Sequence, residues 1–304
     1  MKYLQFVVVL FFSSIVFGQD TKLPLWPQGK IPNHVITEEK EVRKQNEILR
    51  ISNVQRPTIE VYLPAKQDSI GQAVLIFPGG GYGILAYDWE GTDIAKFLKS
   101  NGIVGIVVKY RLPSSKSQTN KFNVPLIDAQ RALRLVRSKA TEFHIDANNI
   151  GILGFSAGGH LASTLGTHFN ENVYEPIDFI DEQSARPNFM ALGYPVISFG
   201  EHGHKGSIKN LLGEEPTPKM IAYFSNEKHV KENTPPTFLF HASDDKVVSV
   251  TNSLLFYGAL KEKGVSAAMH IYPEGGHGFS LALKDPYLRG WTDSLLEWMG
   301  NLKE

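Results

Sequence analysis

The sequence contains no cysteine. That single absence removes disulfides, thiolate metal sites, a thiol nucleophile and a lipid-modified N-terminal cysteine. An excess of charge is missing too: Lys plus Arg and Asp plus Glu both number 31. Nothing therefore draws the chain as a whole toward nucleic acid or an anionic membrane surface, and a neutral substrate suits the balance. The third absence is a long apolar run. Leu4 to Phe12 and Ile15 to Phe17 are separated by Ser13 and Ser14 and fall short of the ~20 residues that span a bilayer. With Lys2 before it and the small residues Val16 and Gly18 at its end, this stretch reads as a signal peptide over residues 1–18, cleaved before Gln19. A periplasmic or secreted protein follows, with no stable membrane association after cleavage. Internal repeats and low-complexity linkers are also lacking, so residues 19–304 are expected to form a single domain.

What remains is ordinary folded-protein material, 42% hydrophobic and 20% charged, enough for a substantial buried sheet. Pro24, Pro27 and Pro32 around Trp26 suggest an extended arm over residues 25–33. Residues 34–56 are polar and carry no clear pattern. Thr58 to Leu63 alternates, as a half-exposed edge strand should. By contrast, Ala73 to Phe77 and Ile103 to Val108 are continuous apolar runs, the mark of strands covered on both faces. Helices are expected around Asp93–Ser100, Leu126–Thr141, Ala157–Gly166 and Thr251–Lys263. Further strands fall at Ile150–Gly154, Phe189–Val196, Thr237–His241 and Ala267–Tyr272, and a last helix carries Trp291, Leu295, Leu296 and Met299. This alternation predicts an α/β fold, a mostly parallel sheet with helices on both faces. Residues 198–233 break the rhythm and read as an insertion over the strand ends, where such sheets bind ligands.

Gly154-Phe155-Ser156-Ala157-Gly158 lies between a predicted buried strand and a predicted helix, the setting that a G-x-S-x-G nucleophile elbow requires. Its bland alternative is a Gly- and Ser-rich turn that caps the helix. A serine hydroxyl needs a base to take its proton, and Gly275-Gly276-His277-Gly278-Phe279 supplies one just after the last strand. His160, His202, His204 and His241 have weaker claims. The orienting carboxylate should follow an intervening strand, which leaves Asp244 and Asp245. Asp245 stands where the acid normally falls in chain order, whereas Asp244 suits a bond to the turn backbone. Phe77-Pro78-Gly79-Gly80-Gly81-Tyr82-Gly83 follows the first buried strand, and the N–H of Gly80 or Gly81 together with that of Ala157 would form an oxyanion hole. Chemistry of this kind needs no cofactor and no metal.

Rival readings exist for two of these stretches. Gly81-Tyr82-Gly83-Ile84-Leu85-Ala86 also fits a dinucleotide fingerprint, yet the next strand ends in Lys109-Tyr110-Arg111 where that fingerprint expects an acidic residue. Glu201-His202-Gly203-His204 lacks the helical i, i+4 spacing of a metal site and reads as solvated polar residues.

The elbow continued as Gly158-Gly159-His160, the Pro78-Gly79-Gly80-Gly81-Tyr82 loop, Tyr110-Arg111-Leu112-Pro113, Gly275 to Phe279 and Leu25-Trp26-Pro27 together resemble bacterial carbohydrate esterases of the acetylxylan and feruloyl esterase type. These belong to the α/β-hydrolase superfamily. The resemblance spans nearly all of residues 19–304. It implies a triad of Ser156, Asp245 and His277, an acylated carbohydrate as substrate, and removal of acyl groups from plant polysaccharide. It also implies that Tyr82 and Glu90 lie near the pocket mouth and shape the substrate; for Glu90 the alternative is a charge in the first turn of a helix, favourable to the macrodipole. Pro78 stands where the lipase-like H-G-G-G pattern has histidine, which argues against a lipase. A serine exopeptidase using the same groups and a non-catalytic binding protein on the same scaffold stay open.

Overall fold

The computed structural model describes residues 21–302, so the expected signal peptide lies outside the described residues. The main sheet has eight strands. In spatial order they are β1 (Thr21–Pro24), β4 (Thr58–Tyr62), β7 (Val104–Lys109), β5 (Ala73–Phe77), β8 (Ile150–Phe155), β9 (Met190–Gly193), β10 (Thr237–Ala242) and β11 (Ala267–Tyr272). From β7 to β11 all neighbours are parallel; β1 and β4 run antiparallel at one edge. A second sheet joins β2 (Val42–Gln45), β3 (Leu49–Ser52) and β6 (Leu85–Ala86).

The continuous apolar runs behave as their composition requires. Every residue of β5, β7, β8, β9 and β10 is buried, which demands cover on both faces. That cover comes from helices α1 (Asp93–Ser100), α2 (Val124–Ser138), the one-turn α3 (Ala140–Phe143), α4 (Ser156–His168), α7 (Thr251–Glu262) and α9 (Trp291–Gly300). Between β9 and β10 lie α5 (Lys205–Leu212) and α6 (Pro218–Tyr223), and the short α8 (Pro286–Arg289) follows β11. Trp291 of α9 stacks on Phe240 of β10 with ring centroids 4.0 Å apart, and Phe155 and Tyr194 pack edge-on or tilted against the same group.

Two expectations change. The alternating Thr58–Leu63 segment is not the edge, because β1 pairs outside it, with Thr21 opposite Val61. Its half-buried pattern comes from the two faces of the sheet. Residues 34–56, which show no pattern in sequence, contain the β2–β3 hairpin. β2 is largely solvated and β3 buries only Ile51, so four-residue strands of this kind leave too short a pattern to read.

The extended arm is present, and buried polar groups fasten it. Trp26 Nε1 donates to Asp128 at 2.9 Å, Arg131 donates to the Leu25 carbonyl at 2.8 Å, and Arg111 to that of Pro32 at 2.6 Å. Arg111 and Asp128, both fully buried, meet through Nε and Nη2 at 2.9 and 2.8 Å.

Candidate active site

Parallel strands deliver their loops to one end, and four of those loops converge here. The chain turns sharply from β8 into α4 at Ser156, whose φ is +52°. A non-glycine residue held there costs ~1–3 kcal/mol, so the surroundings must impose it. They do so by close approach: a Cβ on Gly158 would stand 2.0 Å from the Phe77 carbonyl oxygen, and one on Gly154 would stand 2.2 Å from that of Gly158. Those two glycines let β5, β8 and α4 come together tightly enough to lift the serine side chain to the rim.

Ser156 Oγ then lies 2.9 Å from His277 Nε2, and His277 Nδ1 lies 2.6 Å from Asp245 Oδ2. A carboxylate only accepts, so Nδ1 carries the proton and Nε2 is left to accept from the serine. Asp245 is held firmly. Its Oδ1 accepts from the N–H groups of Val247 and Val248 at 2.8 and 2.9 Å. Burial alone would raise its pKa, but hydrogen bonds from His241, His277 and Val248 outweigh that and hold it well below the usual carboxylate range. Asp244 does bond backbone, accepting from Gly276 N–H at 2.8 Å, and so pins the loop that carries His277.

His241 is not the base; it sits behind the acid. Fully buried, its Nε2 faces Asp245 Oδ2 at 3.2 Å and the Val248 carbonyl at 3.0 Å, while Nδ1 faces Ser253 Oγ at 2.8 Å. Both partners of Nε2 accept, so Nε2 is the protonated nitrogen. Its position four residues before Asp245 was the available signal.

The loop after β5 bends at Gly80, with φ +128°, where a Cβ would collide with the Ile84 carbonyl at 2.3 Å. The N–H groups of Gly80, Gly81 and Ala157 donate to no acceptor among the described residues. The chain beyond Gly83 runs into β6, which pairs with β3, so the glycine loop does not open directly into a helix as a dinucleotide fingerprint requires.

Tyr82 and Glu90, expected near the pocket mouth, are both buried, at 1% and 4% exposure. Neither is turned to solvent, although Glu90 does stand in the first helical turn, at Asp88–Thr92. Tyr82 bonds through its hydroxyl to His160 Nδ1 at 2.8 Å; His160 Nε2 donates to the Phe224 carbonyl at 2.8 Å, and its ring stacks on Phe199 at 4.2 Å. Burial lowers the His160 pKa to about 4. The histidine of the Gly-Gly-His continuation thus fastens the glycine loop to the insertion. Glu90, in a turn of π-helix at Asp88–Thr92, accepts from Gly79 N–H at 2.9 Å and from the Tyr194 hydroxyl at 2.7 Å. Burial raises its pKa, opposed by the Tyr194 and Gly79 bonds and by His277. Tyr194, which the sequence did not single out, also accepts from Ser280 N–H at 3.1 Å, and Trp89 Nε1 donates to the Gly278 carbonyl at 2.8 Å. Trp89, Glu90 and Tyr194 therefore lace the glycine loop to the loop bearing His277.

A family model described as BD-FAE matches residues 59–260. Endo-1,4-beta-xylanase B of Butyrivibrio fibrisolvens is 37% identical over 236 residues, covering 78% of this chain and 36% of that protein. Acetylxylan esterase of Xylanibacter ruminicola is 36% identical over 258 residues, covering 83% of this chain and 49% of that protein. The chain thus spans between a third and a half of the length of these two relatives. Among solved structures, an acetyl ester-xyloside bifunctional hydrolase from Caldicellulosiruptor lactoaceticus superposes with a TM-score of 0.80 at 38% identity, covering 94% of this chain and 98% of that one.

Proposed function

The chain belongs to the BD-FAE family, with the α/β-hydrolase fold, and from that membership we propose that it is an exported serine esterase that removes acetyl or other acyl groups from plant polysaccharide such as xylan. One observation carries the reading: hydroxyl, imidazole and carboxylate touch in sequence at 2.9 and 2.6 Å, on three separate loops. The xylan-directed relatives above support the substrate class, and Lys2 with the apolar stretch that follows supports export.

In the reaction, Ser156 Oγ attacks the ester carbonyl carbon as His277 Nε2 takes its proton. The oxyanion that forms is met by the N–H of Ala157 and that of Gly80 or Gly81, each such donor typically worth ~2.7–4 kcal/mol to the transition state. The imidazolium is stabilised by Asp245 and keeps its tautomer because Asp245 holds Nδ1–H. His277 then returns the proton to the departing sugar oxygen as the carbon–oxygen bond breaks. Water, losing a proton to His277, attacks the acyl-enzyme; the acid departs and Ser156 recovers its hydrogen. Acetate release from acetylated xylan tests the proposal: Ser156→Ala should lower turnover on the order of 10⁶-fold, and a variant that retains wild-type turnover would end it.

A further inference from the structure

His204 belongs to the Glu201–His204 stretch, which reads in sequence as solvated polar residues, and the fold gives its two ring nitrogens different tasks. Nδ1 faces inward: it accepts from Ser207 N–H at 3.2 Å and lies 2.8 Å from Ser207 Oγ, so His204 is the N-cap of α5. An N–H group can only donate, so Nδ1 is the unprotonated nitrogen and Nε2 carries the hydrogen. Burial lowers the pKa of His204, and His277 lowers it further against a smaller opposing effect of Asp245, which keeps this neutral tautomer in place. Nε2–H donates to no acceptor among the described residues.

Its surroundings set that donor beside the oxyanion loop. The Cε1 atom bonded to Nε2 lies 3.9 Å from where a Cβ on Gly81 would stand, and a Cβ on Gly206 would meet the same ring edge at 3.1 to 3.5 Å. Two glycines thus leave the Cε1–Nε2 edge uncovered beside the oxyanion loop. His204 also interacts electrostatically with both His277 and Asp245, so it stands close to the triad as well as to the glycine loop. The ring is not free to drift, because Asn210 of α5 donates to the Gly81 carbonyl at 2.8 Å and docks the helix on that loop. A half-buried imidazole with a fixed tautomer, an unused donor and a clamped backbone is a built recognition element.

We propose that His204 Nε2–H donates a hydrogen bond to a hydroxyl oxygen of the alcohol part of the substrate, so that His204 selects esters of sugars over esters of alcohols without a neighbouring hydroxyl. The proposal rests on the esterase reading above and names the recognising atom within it. His204→Asn separates this role from the cap, because the Asn side-chain oxygen replaces Nδ1 as a good N-cap acceptor and nothing replaces Nε2. The two substrates share an acetyl group and differ in the alcohol: an acetylated xylo-oligosaccharide and 4-nitrophenyl acetate. For His204→Asn, kcat/KM on the oligosaccharide should fall about tenfold, the usual worth of one uncharged hydrogen bond at the upper end, while 4-nitrophenyl acetate changes less than about twofold. His204→Ala should add a lowered unfolding temperature from the lost cap, which His204→Asn does not show. Equal losses on both substrates, or no loss on either, overturn the assignment of His204. If the wild-type protein hydrolyses 4-nitrophenyl acetate and releases no acetate from the oligosaccharide, the polysaccharide reading itself falls, and this proposal with it.

Discussion

Glu90 shows how one side chain takes a role that no motif describes. Its two oxygens accept from the oxyanion loop and from Tyr194, with almost no contact to water. Burial raises its pKa, so over a window above the ordinary carboxylate value the folded state binds more protons than the unfolded one. Stability from this residue is then fully present in acid and lost as pH rises through the raised value. Asp245 is the reverse case: its lowered pKa gives stability that is present above the ordinary value and lost as pH falls. Glu90→Gln keeps the shape and removes the titration. Comparing unfolding temperatures from pH 4 to 8, the variant should gain on the wild type as pH rises; a constant difference, or the opposite trend, would show that burial does not govern this carboxyl. At this scale the sequence made Ser156, His277 and Asp245 readable, because chain order and flanking glycines mark them. It hid Tyr194 and the inward turn of Tyr82, since each depends on a partner 104 or 78 residues away that only folding brings near.

Among the elements, the junction of β7 with α2 gathers several buried polar groups at one carboxylate. Asp128 of α2 accepts from Trp26 in the arm and from the main chain and guanidinium of Arg111 just past β7. Removing one partner of a buried pair leaves the other charge without compensation, at a cost of about 3–5 kcal/mol. Asp128→Ala should therefore lower the unfolding free energy by that amount in chemical denaturation, and a loss below about 1 kcal/mol would mean that water or rearrangement satisfies Arg111. The Tyr110-Arg111-Leu112-Pro113 and Leu25-Trp26-Pro27 segments, which carry the family resemblance, thus meet at one carboxylate. Elements built on continuous apolar runs were legible to within a few residues. The β2–β3 hairpin and β1 were not, because short, solvated strands take their pairing from neighbours rather than from their own hydrophobic pattern.

For the whole molecule, balanced charge is the feature with a measurable consequence. Equal numbers of basic and acidic side chains give no long-range field to steer or repel a neutral glycan, and salt screens only such fields over the ~8–10 Å of a Debye length. The value of kcat/KM on a neutral acetylated oligosaccharide should change by less than about twofold between 20 and 500 mM salt, and a steep dependence would point to a local charged patch in recognition. The mostly parallel α/β architecture was legible from alternation alone, while the course of residues 198–233 was not. That stretch takes its shape from contacts with α4 and the glycine loop, such as those of Asn226 and Asn210.

The lacing of the glycine loop to the loop of His277 through Trp89, Glu90 and Tyr194 has a consequence for how such an enzyme diversifies. The hydrolytic engine is braced as one unit, and residues 198–233, fastened to it at Gly81 and Tyr82, form a cassette beside it. The cassette can then be rewritten, and the site's preferences with it, while the engine keeps its alignment.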